Sequence, residues 1–170
     1  MRGRGLHIWI FFIALLLQSF LFDNLTISTL LVLHIYPIFI LSLPINTPQI
    51  KMLFLSLLLG VALDVMCGGL GLYTICCVAS GVFRWGILKL ILGYREVIDG
   101  ARPSSSSLES SGFFIYVLTY MILHMGLFIG IDSIGIENIN FVILKYITSL
   151  GVSTIFVLLL LRATSDREVN

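Results

Sequence analysis

The 170-residue chain is short of charge. Only 11% of its residues are Asp, Glu, Lys or Arg, where a soluble domain carries about a quarter. Ten basic and nine acidic residues nearly cancel to a formal +1. No overall field draws polyanions, and nucleic acid is excluded as a partner class. Cysteine is scarce as well: Cys67, Cys76 and Cys77 are odd in number, form no C-x-x-C and lie in apolar runs. They argue against a disulfide framework or a zinc site and are read as small buried hydrophobes. The motifs of catalysis are missing too. There is no nucleophile elbow, no P-loop, no H-E-x-x-H and no pair of carboxylates on one helical face. Gly68-Gly-Leu-Gly71 follows a helical pattern rather than a strand, so it is a turn and not a phosphate cradle. The chain is read as no enzyme, without cofactor or metal.

Apolar residues are what the chain has in abundance. They make up 58% of it, with a mean hydropathy of +1.07. Disorder and an ordinary cytosolic enzyme are both incompatible with that composition. The expected class is an all-α integral membrane protein, since solid apolar blocks are unlike the weak ten-residue alternation of a β-barrel.

A membrane helix needs about 20 apolar residues. Residues 6–22 and 25–43 are two such blocks, parted only by Asp23 and Asn24. The next, Ile50 to Leu92, is 43 residues long. As one helix it would reach about 64 Å, twice the bilayer core. It must fold back where glycines cluster at Cys67-Gly-Gly-Leu-Gly71, giving spans 50–66 and 70–92. Spans 113–131 and 141–161 complete six predicted crossings in a single domain. The N-terminal Met-Arg-Gly-Arg-Gly and the apolar run after it imitate a signal peptide. No small-x-small cleavage site follows, so an uncleaved first helix is expected.

Six crossings put both termini on one side. Arg2, Arg4, Lys51, Arg84, Lys89, Arg95, Arg102, Arg162 and Arg167 then share that side, against Lys145 alone on the other. The positive-inside rule makes the shared side cytoplasmic. The longest connection, residues 93–112, is cytoplasmic on this reading. Its Pro103–Ser111 core is a flexible polar tether, and its basic end rests against anionic headgroups.

Few polar groups lie inside the spans, and each is a functional candidate. Asp64 is about 21 Å up its span, close to the outer surface. It is read as a clamp on the free N–H groups opening the next helix at Leu70–Tyr73, as a partner or ligand contact, or as a proton-transfer group. Arg84 lies about 20 Å below Gly71 and is expected to snorkel to the cytoplasmic face. His34 and His124 are mid-span and are expected to hydrogen-bond neighbouring helices, with Gln18 similar interhelical glue. Gly126-Leu-Phe-Ile-Gly130 is a G-x-x-x-G that permits close helix approach, within the bundle or to a partner.

Pro44-Ile-Asn-Thr-Pro48, Leu59-Gly-Val-Ala-Leu-Asp64 and Gly68-Gly-Leu-Gly-Leu72, in that order, resemble the rod shape-determining MreD family. Gln18, Arg84 and the fifth-span His124 fit the same pattern, which runs from about Phe11 to Leu161. The proline at 37 and the Ser-rich run 104–111 depart from it. The resemblance implies a non-enzymatic scaffold in the bacterial inner membrane. Its expected partners are MreC, the MreB filament, the glycosyltransferase RodA with its penicillin-binding transpeptidase, and membrane lipids. Gly60, Asp64, Gly68, Gly71, Arg84, His124, Gly126 and Gly130 are the candidate structural or partner-binding residues. The family is also similar in fold to the six-helix S components of ECF vitamin transporters. On that alternative, Asp64, Tyr120, His124 and Asn138 would converge on a small ligand.

Overall fold

The computed structural model describes residues 2–22, 29–92 and 110–165. The described residues are helical apart from turns and one extended stretch. The elements are α1 (Arg2–Leu16), which runs on into a π-helical turn (Leu17–Phe22), α2 (Pro37–Ser42), α3 (Gln49–Cys67), α4 (Leu72–Leu92), α5 (Ser110–Asp132) and α6 (Ile139–Ser165). The Ser-rich tether expected at 93–112 lies outside the described residues as far as Glu109.

Among the described residues, four helices are long and apolar enough to cross a membrane: α3, α4, α5 and α6. They coincide with the predicted spans 50–66, 70–92, 113–131 and 141–161 to within a few residues. All four carry exposed large apolar side chains on their outer faces, such as Phe54, Val65, Leu90 and Leu159. In water such faces would drive aggregation; in lipid they are the solvated surface. The protein is therefore a membrane protein.

The first predicted span, 6–22, lies within one helical run, residues 2–22, that ends in the π-helical turn. The second predicted span, 25–43, folds differently. It is not one continuous helix: residues 31–35 are extended, and only the six-residue α2 follows. Apolar composition specifies the environment of such a segment but not its backbone. Pro37 sits in the first turn of α2, where its fixed φ suits a helix start and its missing N–H costs nothing. It has no N–H with which to continue a helix arriving from residue 33.

The α3–α4 hairpin is the tightest pair. Ser56, Gly60 and Asp64 recur every four residues along one face of α3. A Cβ on Gly60 would stand 2.5 Å from the Cα of Thr74 and 3.0 Å from the Tyr73 carbonyl oxygen, so the two backbones are in direct contact. On α4, Gly81 meets the Ser56 side chain in the same way. The turn is built from glycines in the left-handed region, Gly68 at φ 72° and Gly71 at φ 94°. The Gly68 and Gly69 amides both close back onto the Asp64 carbonyl, as at many helix C-termini.

Candidate functional site: the polar interior of the bundle

The extended stretch lies beside the middle of α6, a helix of membrane-spanning length. Backbone outside a helix is tolerated at that depth only where protein supplies its hydrogen bonds. Here side chains do so from two sides. From α6, the Ser149 hydroxyl accepts from the Val32 amide at 2.9 Å and Ser153 accepts from the His34 amide at 3.0 Å. Thr148 donates to the Leu30 carbonyl at 2.7 Å. From the π-helical turn, Gln18 donates to the Leu33 carbonyl and accepts from the Ile35 amide, each at 2.9 Å. One carboxamide has a donor and an acceptor in the arrangement of a peptide group. Gln18 thus stands where a neighbouring strand would stand.

Arg84 does not snorkel. It is 2% exposed and points inward. Its Nε donates to the Tyr116 hydroxyl at 2.8 Å, and its guanidinium nitrogens donate to the carbonyls of Leu43 and Pro44. Those carbonyls lie just beyond the C-terminus of α2, where a helix leaves acceptors without intrahelical partners. A side chain that snorkels would leave those helix-end acceptors without a charged donor.

Asp64 sits at the opposite end of α4. One oxygen accepts from the Tyr73 amide at 3.0 Å, and the other from the Thr74 amide at 2.9 Å and from the Thr74 hydroxyl. Tyr73 and Thr74 are the second and third residues of α4, the positions an N-cap side chain normally serves. Here the cap comes from the preceding helix, so the carboxylate ties α3 to α4 as well as ending the latter. An Asp64→Leu protein is expected to lose about 1–3 kcal/mol, since two amides lose their acceptor inside an apolar hairpin. Reversible unfolding in mixed micelles against SDS measures the loss; a change under about 0.5 kcal/mol, the range of neutral surface substitutions, would count against the clamp.

His124, fully buried on α5, joins three elements. Its Nε2 lies 2.7 Å from the Tyr36 hydroxyl and its Nδ1 lies 2.7 Å from Ser80 Oγ. Ser80 already donates to the Cys76 carbonyl. Ser80 must therefore accept from His124, which fixes the proton on Nδ1 and leaves Nε2 to accept from Tyr36. Tyr120 stacks on the His124 ring at 6.0 Å between centroids. His34, also fully buried, has no hydrogen-bond partner for either ring nitrogen among the described residues. Its ring meets Phe128 edge-on at 4.1 Å and lies 5.9 Å from His124.

The remaining candidates fall outside this interior. Gly126 and Gly130 are on the exposed face of α5, with Tyr146 3.8 Å from a Cβ on the first and nothing within 4 Å of one on the second. Gly68 and Gly71 serve the hairpin turn. Asn138 caps α6, its side-chain oxygen accepting from the Phe141 amide at 3.2 Å. Lys145, the lone basic residue on its predicted side, is paired with Asp132 at 2.7 Å. Asp64, His124 and Asn138 are thus each held by different partners and do not converge on one pocket. The residues that sequence reasoning missed are Tyr36, Ser80, Ser149 and Ser153. The four-residue spacing of Ser149 and Ser153 on one face of α6 was the available signal.

Compared with known proteins, the chain matches no family model, no curated protein and no solved structure.

Proposed function

We propose that the protein is a non-enzymatic scaffold of the bacterial cell-elongation machinery, of the MreD kind. On this reading it lies in the inner membrane with both termini in the cytoplasm, α1 and the broken return segment making up the first two of six crossings. It binds MreC and helps position peptidoglycan synthesis by RodA and its transpeptidase near the MreB filament. The observation that carries the reading is the use of the intramembrane polar side chains. Gln18, Asp64, Arg84, His124, Ser149 and Ser153 all bond within the bundle. A body whose polar groups hold its own backbone suits a rigid packing partner better than a receptor, where such groups converge on a ligand. The exposed Gly126–Gly130 face supports it, because small residues let a second helix approach closely in lipid. The nine-to-one distribution of basic residues supports the orientation.

One observation favours the alternative, an S-component-like binder of a small vitamin-type ligand: the His34 imidazole has no partner for either nitrogen among the described residues. Affinity purification of the tagged protein from native membranes in mild detergent, followed by mass spectrometry, separates the two. Recovery of MreC with the synthase pair is the expected result. Recovery of an ABC-type ATPase pair with a transmembrane coupling subunit would overturn the scaffold reading.

A further inference from the structure

An apolar cleft of about 460 Å³ opens between α1 and α3. Phe11, Phe12 and Leu15 wall one side, and Phe54, Leu58 and Val61 the other. Its room corresponds to roughly 15 groups of water or methylene size, at about 30 Å³ each. That is the scale of one long acyl chain. From Lys51 to Val61 the α3 wall rises about 15 Å, half the thickness of a bilayer's hydrocarbon core.

The charge at one end agrees with this shape. Lys51 is exposed and stands one turn before Phe54 and two turns before Leu58, on the cleft side of α3. The first 22 residues hold no Asp or Glu, and the acid of α3, Asp64, is at its far end. The mouth of the cleft therefore has a cationic position on α3, and neither helix brings a carboxylate to it. The walls are large side chains: Phe12 is 53% exposed and Phe54 63%. The small residues that hold one helix against another in lipid are nearly absent from them. A flexible chain fills such a space better than a helix does.

We propose that this cleft is a binding site for one acyl chain of an anionic phospholipid, with Lys51 holding the headgroup phosphate. The lipid belongs to the leaflet on the side of the α1 and α3 N-termini. The site does not depend on the scaffold reading, since a transporter subunit of this fold would carry the same cleft.

The test is native mass spectrometry of the full chain in detergent with equimolar phosphatidylglycerol and phosphatidylcholine. The wild type is expected to retain one phosphatidylglycerol with about fivefold preference, the scale of attraction expected from one basic residue at a membrane surface. Lys51→Gln, an exposed change that spares the core, is expected to remove the preference. Leu58→Trp fills the cleft and is expected to abolish the retained lipid. Equal retention of both lipids by the wild type overturns the proposal, as does an unchanged preference in Lys51→Gln. So does cross-linking of a Phe54→Cys protein through that position to another protein's helix in native membranes, which would make the cleft a protein interface.

Discussion

An Arg84→Met protein is expected to be about 2–4 kcal/mol less stable than the wild type, the largest loss among the polar interior residues. Methionine fills a similar volume, so the loss is not a cavity effect. What disappears is the donor to the Leu43 and Pro44 carbonyls and to the Tyr116 hydroxyl. An acceptor left unsatisfied in the interior costs about 1–3 kcal/mol; the Leu43 carbonyl is left so and the Tyr116 hydroxyl loses its donor, whereas the Pro44 carbonyl keeps the amide and hydroxyl of Thr47. Against this stands the relief of no longer burying a guanidinium, which keeps the net figure below the sum. Tyr116 recovers little, because its hydroxyl reaches the Leu41 carbonyl only at 3.5 Å. Arg84→Lys is expected to lie between the two, since an ammonium keeps the charge but lacks the planar fork that reaches three oxygens. SDS-driven unfolding in micelles orders the three proteins. A methionine variant as stable as the wild type would mean that the Arg84 contacts contribute nothing net to the fold.

The same residue marks where the sequence could be read and where it could not. The hairpin at Cys67–Gly71 was legible because length forces it: a mostly apolar run of 43 residues cannot cross one bilayer once, and only one cluster of breakers lies within it. The Asp64 contact with the start of the following helix was legible for a related reason, since a carboxylate near a turn meets free amides on the far side of it. The extended stretch 31–35 was not legible. Apolarity reports that a segment avoids water, and every backbone conformation whose bonds are met elsewhere satisfies that condition equally. The sites that meet those bonds are far away in sequence, Gln18 on one side and Ser149 and Ser153 on the other. Arg84 was not legible for a different reason. Its depth places it near the end of its span, but depth does not say whether the side chain turns out to headgroups or in to the carbonyls that end α2. Small residues misled in a different way: G-x-x-x-G at Gly126 was the visible motif, whereas the close approach inside the bundle is made by Ser56-x-x-x-Gly60 and by Gly81.

That close approach yields the second large effect. Gly60→Ala adds a single methyl, yet its nearest neighbours are backbone atoms of Thr74 and Tyr73, which cannot turn aside as a side chain can. Ordinary contact requires α3 and α4 to separate by about 1 Å there, and overpacking of this kind costs about 1–3 kcal/mol. The strain does not stop at the methyl. Asp64 stands one turn above Gly60 on the same face and bonds the same residue, Thr74. Moving the helices apart stretches those bonds, so Gly60→Ala removes part of what Asp64→Leu removes. The double variant is therefore expected to lose less than the sum of the singles, by about 0.5–1 kcal/mol, as contacting residues do in a double-mutant cycle. Gly86→Ala is the control, because a Cβ there meets nothing within 4 Å, and helix propensity alone makes that change neutral or slightly favourable. Strict additivity of Gly60→Ala and Asp64→Leu would show that the glycine contact and the carboxylate clamp hold the hairpin independently. A shortfall in the cycle would show that the close approach of the backbones is what brings the α4 amides within reach of Asp64.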